Sequence, residues 1–209
     1  MPKVGMQPVR HQQLIDATFK VIEDSGLSDV TLSSVATEAG LSAGIVSHYF
    51  GNKDGLLEAA MRQILRDLRE AVLFHCIHAR DQTPRTQLRA IVHGNFAPSQ
   101  TSPTAMRSWL AFWSASLNNP QFKRLQRAND RRLHSNLAYQ FEREMDRKSA
   151  RNAATGLAAL IDGLWLRGTL AGGQFDTEQA LSLAFDFIDQ HLPSPDRGPS
   201  ANLTKRKKS

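Results

Sequence analysis

The sequence of 209 residues contains a single cysteine and no long hydrophobic run. One thiol, Cys76, excludes an intramolecular disulfide framework and is typical of a protein in a reducing compartment. The most apolar stretch, residues 156–166, is short and contains Asp162, so no segment is expected to span a bilayer. The first ten residues lack the apolar core of a secretory signal. These absences predict a cytoplasmic protein without a membrane partner.

Motifs for catalysis and cofactor binding are also missing. The sequence has no glycine-rich phosphate loop of the G-x-x-x-x-G-K-[ST] or G-x-G-x-x-G type, and no E-x-x-H pair for a di-iron bundle. His75, Cys76, His78 and His93 lie near one another in sequence, but nothing completes a zinc ligand set. We therefore expect no cofactor, no metal and no enzymatic activity.

Strand signals, meaning alternating apolar runs closed by Asn-Gly turns, are absent as well. Apolar residues instead recur every three to four positions, which predicts helices separated by prolines and by the pair Gly172-Gly173. The predicted fold is all-α, with an N-terminal three-helix unit and a C-terminal helical domain. About nine helices are expected, at residues 10–25, 31–39, 42–49, 53–79, 84–96, 104–117, 121–146, 149–172 and 176–191.

Charge is unevenly distributed along the chain. The net charge of +6 suggests an anionic partner. Residues 1–70, however, hold seven Lys and Arg against nine Asp and Glu, so the excess lies elsewhere. Residues 193–209 hold five basic residues and one acidic residue among Pro, Ser and Gly, which predicts a disordered basic tail. Charge alone therefore does not identify the partner, and the residue pattern must do so.

The most informative stretch lies between Leu32 and Phe50. Ala36 is small enough for two short helices to cross closely, and Gly40, four residues later, tolerates the positive φ of a tight turn. Val46, six residues further on, is a branched apolar side chain that would bury between the helices. This spacing predicts a helix-turn-helix, whose second helix enters the DNA major groove. The alternative is a generic helical hairpin.

The same stretch carries the motif T-x-x-x-V-A-x-x-A-G-L-S-x-G-x-x-x-H-Y-F-x-x-K-x-x-L. Over about residues 8–57 the chain resembles the DNA-binding domain of TetR-type repressors, which implies a recognition helix at about residues 43–49. Many members of that family have Tyr at the position of Ser47, so a contact there would use a shorter side chain. The DNA-binding residues that the resemblance implies are Thr31, Ser42, Ala43, Gly44, Ile45, Ser47, His48, Tyr49 and Lys53.

All three tryptophans lie in the C-terminal two-thirds of the chain. Trp109 and Trp113 are four residues apart, and Asp162 and Trp165 are three apart, so each pair shares a helix face. An aromatic wall beside a carboxylate suits a quaternary ammonium ion, which is held by cation–π attraction and counter-charge. Tyr139 is a candidate for a further wall. The alternative is that the tryptophans belong to an ordinary core and that Asp162 caps a helix or faces a dimer partner.

The last two predicted helices, residues 149–172 and 176–191, are apolar and rich in small residues. Two copies of this pair would form a four-helix interface, so we expect a homodimer. Four parts are predicted in all. They are an N-terminal arm (1–7), a helix-turn-helix DNA-binding domain (8–68), a ligand-binding and dimerisation domain (69–192) and the basic tail (193–209).

A second resemblance covers about residues 1–192. The segments MPKVGMQ, SAGIVSHYF, MRSWLAFWSASLNNPQFKRLQ, RRLHSNL and GLAALIDGLWLRGTLAGG are similar to the BetI-type branch of the TetR family, the choline-responsive repressors of glycine betaine synthesis. The resemblance implies a dimeric repressor that binds double-stranded operator DNA, controls choline uptake and oxidation genes under osmotic stress, and responds to choline.

Three alternatives remain at this point. The first is a TetR-type repressor of a different operon that senses another cationic or aromatic small molecule. The second is a helical enzyme that acts on a small cation, and the third is a helical dimerisation scaffold that has lost DNA binding.

Overall fold

The computed structural model describes residues 6–193, with the backbone alone for Met6. Within these residues there are ten α-helices and one 3-10 turn, Leu27–Asp29, and no strand, so the prediction of an all-α fold is confirmed. The helices are α1 (Met6–Ser25), α2 (Leu32–Glu38), α3 (Ala43–Phe50), α4 (Lys53–Ile77), α5 (Pro84–Asn95), α6 (Pro98–Thr101), α7 (Pro103–Ser116), α8 (Pro120–Phe141), α9 (Arg147–Ala171) and α10 (Thr177–His191).

Two helix boundaries differ from the prediction by more than two residues. Helix α1 begins at Met6 rather than at residue 10, so the end of the predicted arm is helical. Residues 1–5 and nearly all of the predicted tail lie outside the described part. Helix α8 stops at Phe141 because the chain must turn before Asp146, whose carboxylate caps α9. That carboxylate accepts hydrogen bonds from the backbone N–H groups of Lys148 (3.0 Å) and Ser149 (3.1 Å).

Proline and side-chain caps define the starts of the middle helices. Helices α5, α6, α7 and α8 all begin with proline, whose fixed φ suits the first helical position. Thr83 caps α5 just before Pro84. The one-turn helix α6 was not predicted, because four residues between two prolines are too short to show a helical period.

A continuous hydrophobic core extends through both halves of the molecule. Helix α4 takes part in both halves. Its 25 residues span about 37 Å at 1.5 Å per residue. Its first three turns bury Leu56, Leu57, Ala60, Met61 and Ile64 against the N-terminal helices. Among residues 6–193, no helix is both long and apolar enough to cross a membrane.

A second connection joins the end of α1 to the start of α7. The hydroxyl of Thr104 donates a hydrogen bond to the carboxylate of Glu23 at 2.6 Å. The guanidinium of Arg107 donates to the backbone carbonyl of the same Glu23. Two residues at the N-terminal end of α7 therefore hold the C-terminal end of α1.

Helices α4 and α5 approach most closely at Gly94. A Cβ atom added there would lie 2.4 Å from the Cα and 2.7 Å from the backbone nitrogen of Val72. Backbone atoms cannot rotate away, so the two helices would have to separate.

We predict that Gly94→Ala lowers the free energy of unfolding by about 1–3 kcal/mol, the usual cost of overpacking. The midpoint of thermal unfolding, followed by circular dichroism, should fall by about 2–4 °C for each kcal/mol. The control is Gly44→Ala, where the added Cβ would lie 3.9 Å from the Ser42 hydroxyl and meet no other atom within 4 Å. Equal stability of the two variants would contradict the close approach.

Candidate nucleic-acid interface and ligand cavity

The crossing of α2 and α3 has the geometry that the sequence predicts. Val35, Ala36 and Val46 are buried, and the backbone N–H of Leu41 donates to the Ala36 carbonyl at 2.8 Å. Gly40 has φ +64°, and a Cβ there would meet nothing within 4 Å. Backbone conformation, rather than lack of space, therefore requires glycine at this turn.

The turn between α3 and α4 is tighter still. The Asn52 side chain accepts a hydrogen bond from the Gly55 N–H at 2.9 Å and so caps α4. A Cβ at Gly55 would lie only 2.2 Å from the Phe50 carbonyl oxygen. These contacts fix the angle between α3 and the long α4. The Lys53 ammonium donates to the Ser28 carbonyl at 2.9 Å, which uses one of its three N–H groups.

Helix α3 presents a polar outer surface. Ser42, Ala43, Gly44, Ser47 and His48 are exposed, while Ile45 and Tyr49 are half-buried. Within the described chain, the Ser42 hydroxyl makes no capping bond, so it is available to another partner. The Ser47 hydroxyl is used differently, because it donates to the Gly51 carbonyl at 3.1 Å. The Tyr49 ring lies edge-on to His11 and His48.

Thr31, which the resemblance places among the DNA contacts, also has a structural role. Its hydroxyl accepts from the Ser34 N–H at 2.9 Å, and the Ser34 hydroxyl accepts from the Thr31 N–H at 2.8 Å. This reciprocal pair is a capping box that starts α2. Thr31 remains exposed to solvent.

In the C-terminal half, a buried glutamine orients two of the three tryptophans. Gln100 lies on α6 and is 1% exposed. Its side-chain oxygen accepts from Trp109 Nε1 at 3.0 Å, and its backbone carbonyl accepts from Trp165 Nε1 at 3.3 Å. Both indoles are 5% exposed. One residue thus sets the position of two rings from different helices.

The third tryptophan completes an aromatic wall. The ring centroid of Trp113 lies 6.4 Å from that of Trp109 and 5.1 Å from that of Trp165. The three rings border a small open cavity of about 40 Å³, which Asp162 also lines. The other lining residues are Leu68, Asn95, Gln100, Gln126, Asn129, Asp130, Leu133 and Ile161. Four of the five predicted ligand residues therefore come together.

The fifth, Tyr139, does not line this cavity, and that part of the prediction is wrong. Its side chain is 63% exposed. Helix α8 faces the cavity with Gln126, Asn129, Asp130 and Leu133. Tyr139 follows Asp130 by nine residues, which is two and a half helical turns and therefore the opposite side of the helix.

The cavity is strongly asymmetric in charge. Of the described residues that line it, two are carboxylates and none is Lys, Arg or His. Asp162 is an exposed residue, but the protein packed around its carboxyl raises its pKa to about 6, chiefly through lost hydration and then through repulsion by Asp130. Burial also raises the pKa of Asp130. Gln126 Nε2 donates to the Asp130 carboxylate at 2.7 Å. A bound cation would favour the ionised form of both acids.

Sequence reasoning missed Gln100, Gln126, Asp130 and Leu68. Gln126 and Asp130 are four residues apart on α8 and could have been noticed as a polar pair on one face. Nothing in the sequence marks Gln100 or Leu68 as neighbours of the tryptophans.

Two of the histidines that were considered as metal ligands lie side by side. The rings of His75 and His93 stack at 5.4 Å between centroids. Across residues 6–193, no group of three or more His, Cys, Asp and Glu side chains is arranged to hold a metal ion.

Two family descriptions match the chain. Residues 14–60 match the family "Bacterial regulatory proteins, tetR family". Residues 84–193 match "BetI-type transcriptional repressor, C-terminal".

Individual relatives are similar over most of their length. The HTH-type transcriptional regulator BetI of Stenotrophomonas maltophilia is 59% identical over 92% of this chain and 97% of its own. The protein of the same name from Burkholderia lata is 58% identical over 93% of this chain and 100% of its own. Among solved structures, a transcriptional regulator from Saccharomonospora viridis in complex with choline has a TM-score of 0.76 at 21% identity, over 89% of this chain and 98% of that one.

The raised pKa of Asp162 predicts a pH-dependent stability. The ordinary pKa of 3.8 applies in the unfolded chain, and about 6 in the folded one, so the folded state holds the proton more tightly. Relative to Asp162→Asn, the free energy of unfolding of the wild type should fall as pH rises from about 4 to about 6, and change little above that range. Urea unfolding of both proteins across this range measures the difference.

Asp81 provides the matched control. Hydrogen bonds from Thr83 hold its pKa below the ordinary value, so it stays ionised throughout. The stability difference between the wild type and Asp81→Asn should therefore be nearly constant above about pH 5. A difference for Asp162→Asn that is equally flat would show that the Asp162 carboxyl titrates normally.

Proposed function

Because this chain belongs to the BetI-type family of TetR transcriptional repressors, we propose that it binds operator DNA as a homodimer and that choline, or a similar quaternary ammonium ion, controls this binding. The family predicted from the sequence motifs is confirmed, and with it the assignment as a DNA-binding regulator rather than an enzyme. We propose that its target genes serve choline uptake and the conversion of choline to glycine betaine.

The observation that carries the ligand proposal is the composition of the cavity. A quaternary ammonium ion has no N–H group to donate, so it is bound through aromatic faces and diffuse negative charge. Trp109, Trp113 and Trp165 supply the faces, and Asp162 and Asp130 the charge. Each well-placed ring contributes about 0.5–2 kcal/mol. The choline complex of the Saccharomonospora viridis regulator supports the same ligand class.

The proposed DNA surface is the outer face of α3 with its flanks. Ser42, Ala43, Gly44, Ser47 and His48 would face base edges or groove walls, because these residues lie on the exposed face of the helix. Ile45 would add apolar contact. We propose that Thr31, Tyr49 and Lys53 hold phosphates, the contacts that position a protein on the duplex. Since operator DNA is the target, we also propose a cytoplasmic location.

The proposed dimer interface is formed by α9 and α10. These helices pack tightly on each other, since a Cβ at Gly156 would lie 2.8 Å from the Phe187 ring. Their outer side carries two large exposed apolar residues, Leu170 and Leu183. Two recognition helices in a dimer must lie about 34–36 Å apart to enter successive major grooves.

Two elements of the cavity wall reach the DNA-binding half. Leu68 lies on α4, at the proposed boundary between the DNA-binding domain (to residue 68) and the ligand domain (from residue 69). Trp109 and Trp113 lie on α7, whose first turn holds Glu23 at the end of α1. A ligand that prefers another position of α4 or α7 would shift the dimer away from the DNA-binding spacing.

A neighbouring cavity of about 320 Å³ favours a second candidate ligand class. It shares Leu68, Asn95, Asn129 and Leu133 with the tryptophan cavity. Arg69 and Arg132 also line it and no carboxylate of the described residues does, so a larger ligand would place its cation beside Asp162 and an aromatic part in this second space. The regulated operon would then differ.

The decisive experiment measures operator affinity with and without ligand. Fluorescence anisotropy of a labelled duplex from upstream of the protein's own gene should show specific binding, and saturating choline should weaken it by roughly 5–150-fold. Tetramethylammonium should act in the same direction. If choline neither binds nor changes the operator affinity, the ligand proposal is wrong. If a larger cation binds and changes the operator affinity instead, the second ligand class is supported.

Ala36→Leu tests the DNA-binding surface separately. A bulky side chain at the buried crossing of α2 and α3 would displace α3, so operator binding should be lost while choline binding and the dimer persist. The same substitution at the exposed Ala128 of α8 is the control and should leave operator binding unchanged. Operator binding that survives Ala36→Leu would place the DNA surface elsewhere.

Thr104→Val tests the connection between α7 and α1. The substitution keeps the shape of the side chain but removes the hydroxyl that donates to Glu23. We expect choline to bind with nearly wild-type affinity while its effect on operator affinity falls several-fold. The control, Thr155→Val, removes a hydroxyl that donates only to the Arg151 carbonyl within α9. An unchanged choline effect in Thr104→Val would show that the signal does not pass through this contact.

A further inference from the structure

Two residues that line the tryptophan cavity each carry a buried polar atom without a hydrogen-bond partner in the described chain: Trp113 Nε1 and Gln126 Oε1. Buried polar atoms are nearly always paired, so each such atom calls for an explanation. The contrast with the neighbouring rings is direct, because the Nε1 atoms of Trp109 and Trp165 both donate to Gln100.

The two atoms are complementary in kind. An indole N–H can only donate a hydrogen bond. The Gln126 amide is oriented by Asp130, since an ionised carboxylate accepts only and therefore takes the amide nitrogen, at 2.7 Å. The Gln126 oxygen, which can only accept, is left for another partner. A hydroxyl group accepts one hydrogen bond and donates another, so it matches both atoms.

We propose that Trp113 and Gln126 recognise a hydroxyl group on the bound cation, so that the cavity selects quaternary ammonium alcohols. The hydroxyl oxygen accepts from Trp113 Nε1, and its hydrogen is donated to Gln126 Oε1. This rests on the proposed function of the cavity and adds a specificity to it. Tetraalkylammonium ions leave both protein atoms unpaired.

The same pair discriminates against oxidised forms of the ligand. The oxygen of the unhydrated aldehyde can accept from Trp113 but has no hydrogen to give to Gln126. A carboxylate has the same defect and is also repelled by Asp130 and Asp162. The site therefore distinguishes an alcohol from the aldehyde and the acid that its oxidation produces.

The test compares three cations that differ only at the hydroxyl. They are choline, O-methylcholine and ethyltrimethylammonium. The ether oxygen of O-methylcholine can accept a hydrogen bond but not donate one, and ethyltrimethylammonium has no oxygen. Isothermal titration calorimetry on the full chain at pH 7.5 should give choline a Kd roughly tenfold or more below that of ethyltrimethylammonium, because the latter leaves two buried groups unpaired. O-methylcholine should bind weakly as well.

Two variants assign the preference to the two residues. Trp113→Phe keeps an aromatic wall but removes the N–H, and Gln126→Met keeps the length of the side chain but removes the amide oxygen. In each variant, the Kd of ethyltrimethylammonium should be no more than about three times that of choline. Trp109→Phe is the matched control, because its N–H is already bonded to Gln100, and it should keep the wild-type ratio. Thermal unfolding checks that each variant is folded.

The outcomes separate the two proposals. If ethyltrimethylammonium and choline bind the wild type equally, hydroxyl recognition is wrong and the cation cavity stands. If Trp113→Phe and Gln126→Met keep the full preference, the hydroxyl is recognised elsewhere and the assignment is wrong. If none of the three cations binds, the proposed function of the cavity fails as well.

Discussion

Helix α4 is shared by both halves of the molecule, and the other elements are placed relative to it. Its first turns contain five buried apolar residues, it packs against α1 and α3, and the tight turn at Gly55 sets the angle of α3. Further along, Leu68 lines the cavity and the backbone of Val72 lies against Gly94 of α5. Because a helix transmits its orientation along its length, the recognition surface and the cavity cannot be moved independently of α4.

The cavity combines groups that are costly to hold together without a ligand. Lost hydration, and then repulsion by Asp130, raises the pKa of Asp162 to about 6, so its ionised form is costly without a counter-charge. Two further polar atoms, on Trp113 and Gln126, have no partner within residues 6–193. A cation with a hydroxyl group would relieve all of these costs at once. Trp109 and Trp165 also belong to the hydrophobic core, so the alternative that the tryptophans are core residues holds for two of the three rings.

The sequence predicts interactions between residues that are close along the chain better than those between distant residues. The crossing of α2 and α3 follows from local requirements, a small residue at Ala36 and a positive φ at Gly40, and the structure has both. The Trp109–Trp113 pair follows from helical spacing. Gln100 was missed because α6 is too short to show a period, and it reaches Trp165 across 65 residues of sequence. Tyr139 was placed wrongly because composition does not give the rotation of α8 about its own axis.

The two connections between the halves differ in the kind of motion that they allow. At Gly94 the backbones of α4 and α5 are so close that one helix cannot slide over the other without a collision. At Glu23 the contact consists of side-chain hydrogen bonds from Thr104 and Arg107, which water can replace at small cost. A shift of α7 on ligand binding would therefore be taken up at the α1–α7 contact, while α4 and α5 move as one unit. Helix α7 carries two of the three indoles. In the proposed regulator it is therefore the helix that can shift relative to α1.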